Sequence, residues 1–125
     1  MRKSIASLAI FAMALVTAPS ANAHAQLSSS FPKPGAVVRV WPEKFWVEFD
    51  GNLVTLGSKS VNVLYIKDPV EKSLKITGMS VAGARLSAIA PKPQKSGTYR
   101  ISWRVVSEDG HPVTNSFTFL YIPKA

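Results

Sequence analysis

The chain has no cysteine, a single methionine after residue 23, and no apolar run of membrane-spanning length. The missing cysteines exclude disulfide bonds and thiolate metal sites, so stability has to come from apolar burial or from a bound ligand. The longest apolar stretch, Ile5 to Val16, is shorter than the roughly 20 residues that span a bilayer, so we expect no retained membrane anchor. No segment shows a convincing apolar stripe at helical spacing.

The first 23 residues have the composition of a cleaved secretory signal. Arg2 and Lys3 form a positively charged start, the apolar stretch follows, and Ala21-Asn22-Ala23 fits the small-x-small cleavage rule. We therefore expect residues 1–23 to be a signal peptide and residues 24–125 to be one exported, periplasmic domain that begins at His24. Cleavage a residue or two away, at Ala25, is the alternative, and it would remove this histidine.

Acidic residues are few, with 7 Asp and Glu against 15 Lys and Arg. Arg2 and Lys3 belong to the predicted signal, so the net charge falls from +8 for the whole chain to +6 for the mature protein. The basic residues are scattered, and no nucleic-acid-binding motif accompanies them. We expect a basic monomer that binds no nucleic acid, with attraction to anionic membrane surfaces left open.

Apolar and polar residues alternate with a period of two, which predicts strands with one buried face. The sets expected on the buried faces are Phe45, Val47 and Phe49; Val61, Val63 and Tyr65; Tyr99, Ile101, Trp103 and Val105; and Phe117, Phe119 and Tyr121. Turn residues separate these segments. About seven short strands in roughly a hundred residues predict an all-β sandwich or small Greek-key barrel, and the segment from Leu53 to Gly57 is ambiguous.

The chain has two histidines, His24 and His111. At a free N-terminus, the α-amine and the ring Nδ1 of His24 could chelate one metal ion, which an internal histidine cannot do. His111 follows Asp109 in the segment SEDGHP, which we interpret as a hairpin loop. Pro112 favours an extended backbone at His111, and in an extended backbone residues two apart point to the same side. An ordinary Asp-Gly surface turn with an incidental histidine is the alternative.

Together these groups form a donor set of amine, imidazole and carboxylate without sulfur. Nitrogen-rich sites of this kind suit Cu(II) best, followed by Ni(II) and Zn(II). The sequence therefore predicts a Cu(II) site.

Two longer segments resemble a known family. The expected mature chain opens with HAQLSSSFP, residues 24–32, and contains WRVVSEDGHPV, residues 103–113, near its end. Both are similar to the terminal signatures of the CopC family of periplasmic copper-binding proteins. The resemblance implies an immunoglobulin-like Greek-key β-fold and a role in copper homeostasis or resistance as a carrier or buffer, often beside a CopD-type inner-membrane protein.

Carried over by position, the family's Cu(II) ligands fall on His24, through amine and ring, and on Asp109 and His111. An acidic residue at the end of an early strand approaches the metal in some relatives, and Asp50 occupies that position. A turn aspartate before Gly51 is the alternative interpretation of Asp50.

The chain departs from some relatives in its methionine content. A methionine-rich loop in those relatives builds a second, Cu(I) site, because thioether ligands select the reduced ion. Met79 alone cannot build such a site, and we interpret it as a gap-filling residue. The sequence predicts a protein that binds Cu(II) only.

Two other function classes stay open at this point, although we expect no enzyme. One is a copper monooxygenase with a histidine brace, which the short chain and the Asp109 carboxylate disfavour. The other is an immunoglobulin-like adhesion or assembly module. Among the tryptophans, Trp103 is expected in the core, whereas Trp41 and Trp46 could instead form an aromatic recognition patch.

Overall fold

The alternating segments form strands of a two-layer sandwich in the computed structural model, which describes residues 25–57 and 61–124. The strands are β1 (Leu27–Phe31), β2 (Val37–Val38), β3 (Phe45–Phe49), β4 (Val63–Lys67), β5 (Thr77–Ala82), β6 (Arg85–Ile89), β7 (Gly97–Val106) and β8 (Pro112–Tyr121). One four-stranded sheet has the order β1-β3-β6-β5, and the other has the order β2-β8-β7-β4. The pairing of β2 with β8 is parallel, and the other pairings are antiparallel.

The predicted all-β class is confirmed, and the described residues form eight strands rather than about seven. The ambiguous segment after Leu53 is not a strand, although Leu53 forms an isolated bridge to Ser107. Within the described ranges, no helix is long and apolar enough to cross a membrane.

The core lies between the two sheets and is rich in aromatic residues. The predicted inward residues of β3 and β7 are buried, among them Phe45, Tyr99 and Trp103. Rings meet across the layers, with centroids 6.0 Å apart for Phe45 and Phe119. Burial of one such side chain contributes about 1.5–3 kcal/mol, so the core supplies the stability that disulfides provide in other exported domains.

Trp41 belongs to this core and not to a recognition patch. Its side chain is 8% exposed, and its ring packs against Phe45, Tyr99 and Tyr121. The indole N–H donates a hydrogen bond of 3.0 Å to the carbonyl of Ala90. Trp46 is half-buried on β3, and the guanidinium carbon of Arg85 lies 3.8 Å from the centroid of its ring.

The prediction of which face of β4 is buried is wrong. Leu64 and Ile66 point into the core, whereas Tyr65 is 45% exposed. Both alternating sets of this strand are apolar, so the period of two identified the strand without deciding its phase. Asn62 is in phase with the buried set, and its amide accepts the N–H of Val106 at 2.8 Å and donates to the carbonyl of Val54 at 2.7 Å. These two bonds satisfy a buried polar group that the alternation had assigned to the outer face.

Candidate metal site

The loop that joins β7 to β8 consists of residues 107–111 and forms a tight turn. The N–H of Gly110 donates a hydrogen bond of 2.9 Å to the carbonyl of Ser107, and Gly110 has a φ of 82°. Glycine adopts this left-handed conformation without the steric penalty of a Cβ atom. The next strand begins at Pro112, so the predicted hairpin loop is confirmed.

Asp109 organises this loop through its carboxylate. Its Oδ1 atom accepts hydrogen bonds from the hydroxyl of Ser107 and from the backbone N–H of His111, the latter at 2.9 Å. Its Oδ2 atom lies 3.7 Å from Nδ1 of His111. The side chain of Asp109 is 16% exposed and that of His111 is 70% exposed. The carboxylate is therefore held inside the loop, and the imidazole reaches solvent.

This pair has the geometry of two potential ligands of one ion. Metal bonds to imidazole nitrogen and to carboxylate oxygen are each about 2.0–2.2 Å long, so two donor atoms 3.7 Å apart can contact the same metal. The structure brings Asp109 and His111 together, as the extended backbone before Pro112 predicts. Their role as ligands stays a prediction.

Asp50 follows the last residue of β3 and fixes the start of the described chain. Its Oδ1 atom accepts the backbone N–H of Gln26 at 3.0 Å, and its own N–H donates to the carbonyl of Gln26 at 2.9 Å. The neighbouring Ala25 is 6% exposed and belongs to the core. Asp50 thus anchors the main chain two residues after His24.

Backbone contacts bring the end of β3 and the hairpin loop to the same end of the sandwich. Leu53 forms an antiparallel bridge with Ser107, and the N–H of Val54 donates to the carbonyl of Val106 at 2.8 Å. Only two residues lie between Asp50 and Leu53. The start of the described chain and the Asp109–His111 pair are therefore linked through one short segment.

Within residues 25–57 and 61–124, no group of three or more His, Cys, Asp or Glu side chains is arranged to hold a metal ion. Asp109 and His111 are a pair, and Asp50 is engaged with Gln26. The third predicted ligand, His24, lies outside the described residues, as do the predicted signal peptide and its cleavage site.

Sequence reasoning missed Ser107 and Asn62, two polar residues that support the site. Ser107 is 5% exposed and orients Asp109, and Asn62 is 2% exposed and joins Val54 to Val106. A serine two residues before an aspartate in a turn is a local signal for such a bond. Asn62 carries a weaker signal, a lone amide directly before the apolar start of β4. Met79 is half-buried in β5 and packs against the core, in agreement with its interpretation as a gap-filling residue.

Comparisons with known proteins identify one family along nearly the whole length of the described fold. A family model described as CopC domain matches residues 27–121. The chain is 35% identical over 114 residues to copper resistance protein C of Pseudomonas syringae pv. tomato, which covers 88% of this chain and 90% of that protein. It is 37% identical over 123 residues to copper resistance protein C of Escherichia coli, which covers 93% and 97%.

Solved structures show the same fold. CopC from Methylosinus trichosporium OB3b matches with a TM-score of 0.69 at 24% identity, covering 82% of this chain and 97% of that chain. PcoC from Escherichia coli, described as a methionine-rich copper resistance protein, matches with a TM-score of 0.63 at 27% identity, covering 79% and 99%. The two-sheet β-sandwich is common to all three.

Proposed function

The chain belongs to the CopC family, and from this premise we propose that it is a periplasmic Cu(II)-binding protein that acts as a carrier or buffer. Its relatives include copper resistance proteins, and family membership supports a copper-binding role in copper resistance. A CopD-type inner-membrane protein is the proposed partner, as the family resemblance implies.

The observation that carries the proposed site is the Asp109–His111 pair. A carboxylate oxygen and an imidazole nitrogen lie 3.7 Å apart in a loop whose geometry is fixed by hydrogen bonds to Ser107 and to the backbone of His111. We propose that the α-amine and ring of His24 complete this pair after signal cleavage. An N,N,N,O donor set favours Cu(II) among divalent ions.

Asp50 is the fourth residue of the proposed site. Its contacts with Gln26 fix the main chain two residues after His24. Ala25, which lies between His24 and Gln26 in the sequence, is buried. An anchored N-terminus loses less conformational freedom when it binds a metal, so Asp50 favours binding in addition to any contact of its own with the ion.

The oxidation state that we propose for the bound copper follows from the shortage of sulfur-containing side chains. Thioether and thiolate ligands select soft Cu(I), and after residue 23 the sequence contains Met79 and no cysteine. Met79 lies half-buried in β5, whereas PcoC of Escherichia coli is described as methionine-rich. We therefore propose that this protein holds Cu(II) and releases copper on reduction.

The test is electron paramagnetic resonance combined with competitive titration. The chain is exported with its own leader, purified and loaded with one equivalent of Cu(II). We expect a tetragonal, nitrogen-rich spectrum, and we expect His111→Ala to lose one nitrogen ligand and to weaken binding by more than about 100-fold, beyond the effect of an outer-shell residue.

Glu108→Gln is the matched control, because Glu108 lies in the same loop and outside the proposed ligand set. It should leave spectrum and affinity unchanged. Asp109→Ala should weaken binding less than His111→Ala, because carboxylate is a poorer copper ligand than imidazole. If His111→Ala bound Cu(II) with the affinity of the wild type, the proposed assignment of the site would be overturned.

A further inference from the structure

The outer face of the second sheet carries positive charge without internal compensation. Outward positions alternate with the buried ones along β4, β7 and β8, and they include Lys67, Arg100 and Arg104. Strands β2, β4, β7 and β8 contain no Asp or Glu. We call these three basic residues, together with Tyr65, Ser102 and Ser116 between them, the cationic face.

The arrangement of the charges is unfavourable for folding. Lys67 on β4 lies directly opposite Arg100 on β7, and like charges in such a cross-strand pair destabilise a sheet. Arg100 donates a hydrogen bond of 3.2 Å to the neutral hydroxyl of Ser116. Among the described residues, the ion pair formed by a Lys or Arg is that of Arg85 with Glu48 on the other sheet. The strands that form the cationic face therefore contain no carboxylate that neutralises its positive charge.

The side chains on this face suit carboxylates on a protein surface. Arginine guanidinium groups bind carboxylates through two parallel hydrogen bonds. Tyr65 is 45% exposed in the central cross-strand row with Ser102 and Ser116, and a shallow depression of about 470 Å³ lies beside it. Tyrosine and arginine are both enriched at protein-binding surfaces.

The cationic face adjoins the hairpin loop. Arg104 precedes Ser107 by three residues along β7, and Thr114, its partner on β8, follows His111 by three. With a rise of about 3.3 Å per residue, Arg104 lies roughly 10 Å along the strand from the start of the loop. A protein that covers this face therefore reaches the rim of the proposed copper site.

We propose that the cationic face docks a partner protein through a carboxylate-rich patch on that partner. Docking itself requires no metal, and only its purpose, copper transfer at the adjoining loop, rests on the proposed function. The two proposals are therefore separable by experiment.

The test is a titration of the metal-free exported protein, labelled with ¹⁵N, with a synthetic octapeptide of alternating Glu and Ser. We expect amide shifts concentrated in β4, β7 and β8, loss of binding at high salt because surface charge attraction is screened, and no shifts with the Gln-Ser counterpart. Arg100→Gln combined with Arg104→Gln should weaken binding by about tenfold, since two charge-assisted contacts are lost.

Lys92→Gln combined with Lys124→Gln is the matched control, because it removes the same net charge at the opposite end of the sandwich, next to Trp41 and Tyr121. This control should bind like the wild type. Equal weakening in both double variants, shifts centred elsewhere or no binding of the peptide would overturn the proposal. Tighter, Arg100- and Arg104-dependent binding to phosphatidylglycerol vesicles than to the peptide would identify a lipid-binding face and also overturn it. Loss of Cu(II) binding in His111→Ala leaves these outcomes unchanged.

Discussion

At the scale of single residues, the orientation of Asp109 depends on Ser107. The Ser107 hydroxyl donates to Oδ1 of Asp109, and the other carboxylate oxygen, Oδ2, lies 3.7 Å from Nδ1 of the His111 ring. The backbone of Ser107 also closes the turn to Gly110 and bridges Leu53. Its side chain and its main chain therefore have separate tasks, one directed to the carboxylate and one to the loop.

Ser107→Ala separates these two tasks. The main-chain contacts are kept, so the hairpin should persist, whereas Asp109 loses the hydroxyl that holds its carboxylate. Loss of a partner that orients a ligand weakens metal binding by about 10–100-fold, and we expect a loss of that size in a competitive Cu(II) titration.

Ser87→Ala is the control for this prediction. Ser87 is also buried, at 8% exposure, and its hydroxyl is hydrogen-bonded to that of Ser80 on the first sheet. It should bind Cu(II) like the wild type. An unchanged affinity in Ser107→Ala would show that the hydroxyl does not position Asp109 for the metal.

At the scale of elements, the turn after β4 is held by one carboxylate. Oδ1 of Asp68 accepts the backbone N–H groups of Val70 and Lys72, each at 2.9 Å. The hydrogen bond from Lys72 is the largest influence that lowers the pKa of Asp68 below its usual value of 3.8, and it outweighs the opposing effect of burial. The charged form of Asp68 therefore stabilises the turn.

This pKa shift predicts how stability depends on pH. Because the folded-state pKa of Asp68 lies below its unfolded-state value, the charged group stabilises the fold above that unfolded-state value, and the contribution is lost as the pH falls through the folded-state pKa. In urea unfolding, Asp68→Asn should be less stable than the wild type at neutral pH, and the difference should narrow in acid. Glu71→Gln in the same turn is the control. A difference that does not change with pH would contradict the assignment.

The strands show what an alternating pattern can and cannot predict. Phe45, Val47 and Phe49 alternate with more polar neighbours, so both the existence and the buried face of β3 were predictable. In β4 both sets are apolar, and tertiary contacts such as those of Asn62 decide which set is buried. Strand β5 consists mostly of small and polar residues around Met79, so its sequence shows no alternating pattern that predicts a strand. Its extended conformation depends on its pairing with β6.

The site was predictable where a local rule applied. The proximity of Asp109 and His111 follows from their spacing and from Pro112. The position of Asp50 beside Gln26 could not be derived from composition, because it depends on the antiparallel pairing of β1 with β3, between segments about twenty residues apart in the sequence.

At the scale of the whole molecule, the start of the described chain, the end of β3 and the hairpin loop all lie at one end of the sandwich. Gln26 is paired with Asp50, and Leu53 bridges to Ser107. The fold thereby holds Ala25 in the core close to elements that come from the opposite end of the sequence. We therefore expect the chemical state of the residue before Ala25 to affect metal binding much more than folding.

A two-residue extension before His24 tests this separation. In a Gly-Ser extension, the α-amine of His24 becomes a peptide nitrogen, so one ligand and the chelate ring it forms with the imidazole are lost. Every residue after His24 is kept, including the contacts of Gln26 with Asp50. We expect an unchanged thermal midpoint for the metal-free protein, together with Cu(II) binding weakened by more than about 100-fold and an altered spectrum.

The same two residues added after Ala125 serve as the control, which should bind Cu(II) like the unextended protein. Equal Cu(II) affinity of both extended proteins at neutral pH would show that the N-terminal amine is not a ligand, and the proposed site would then have to be rebuilt around Asp109 and His111 alone.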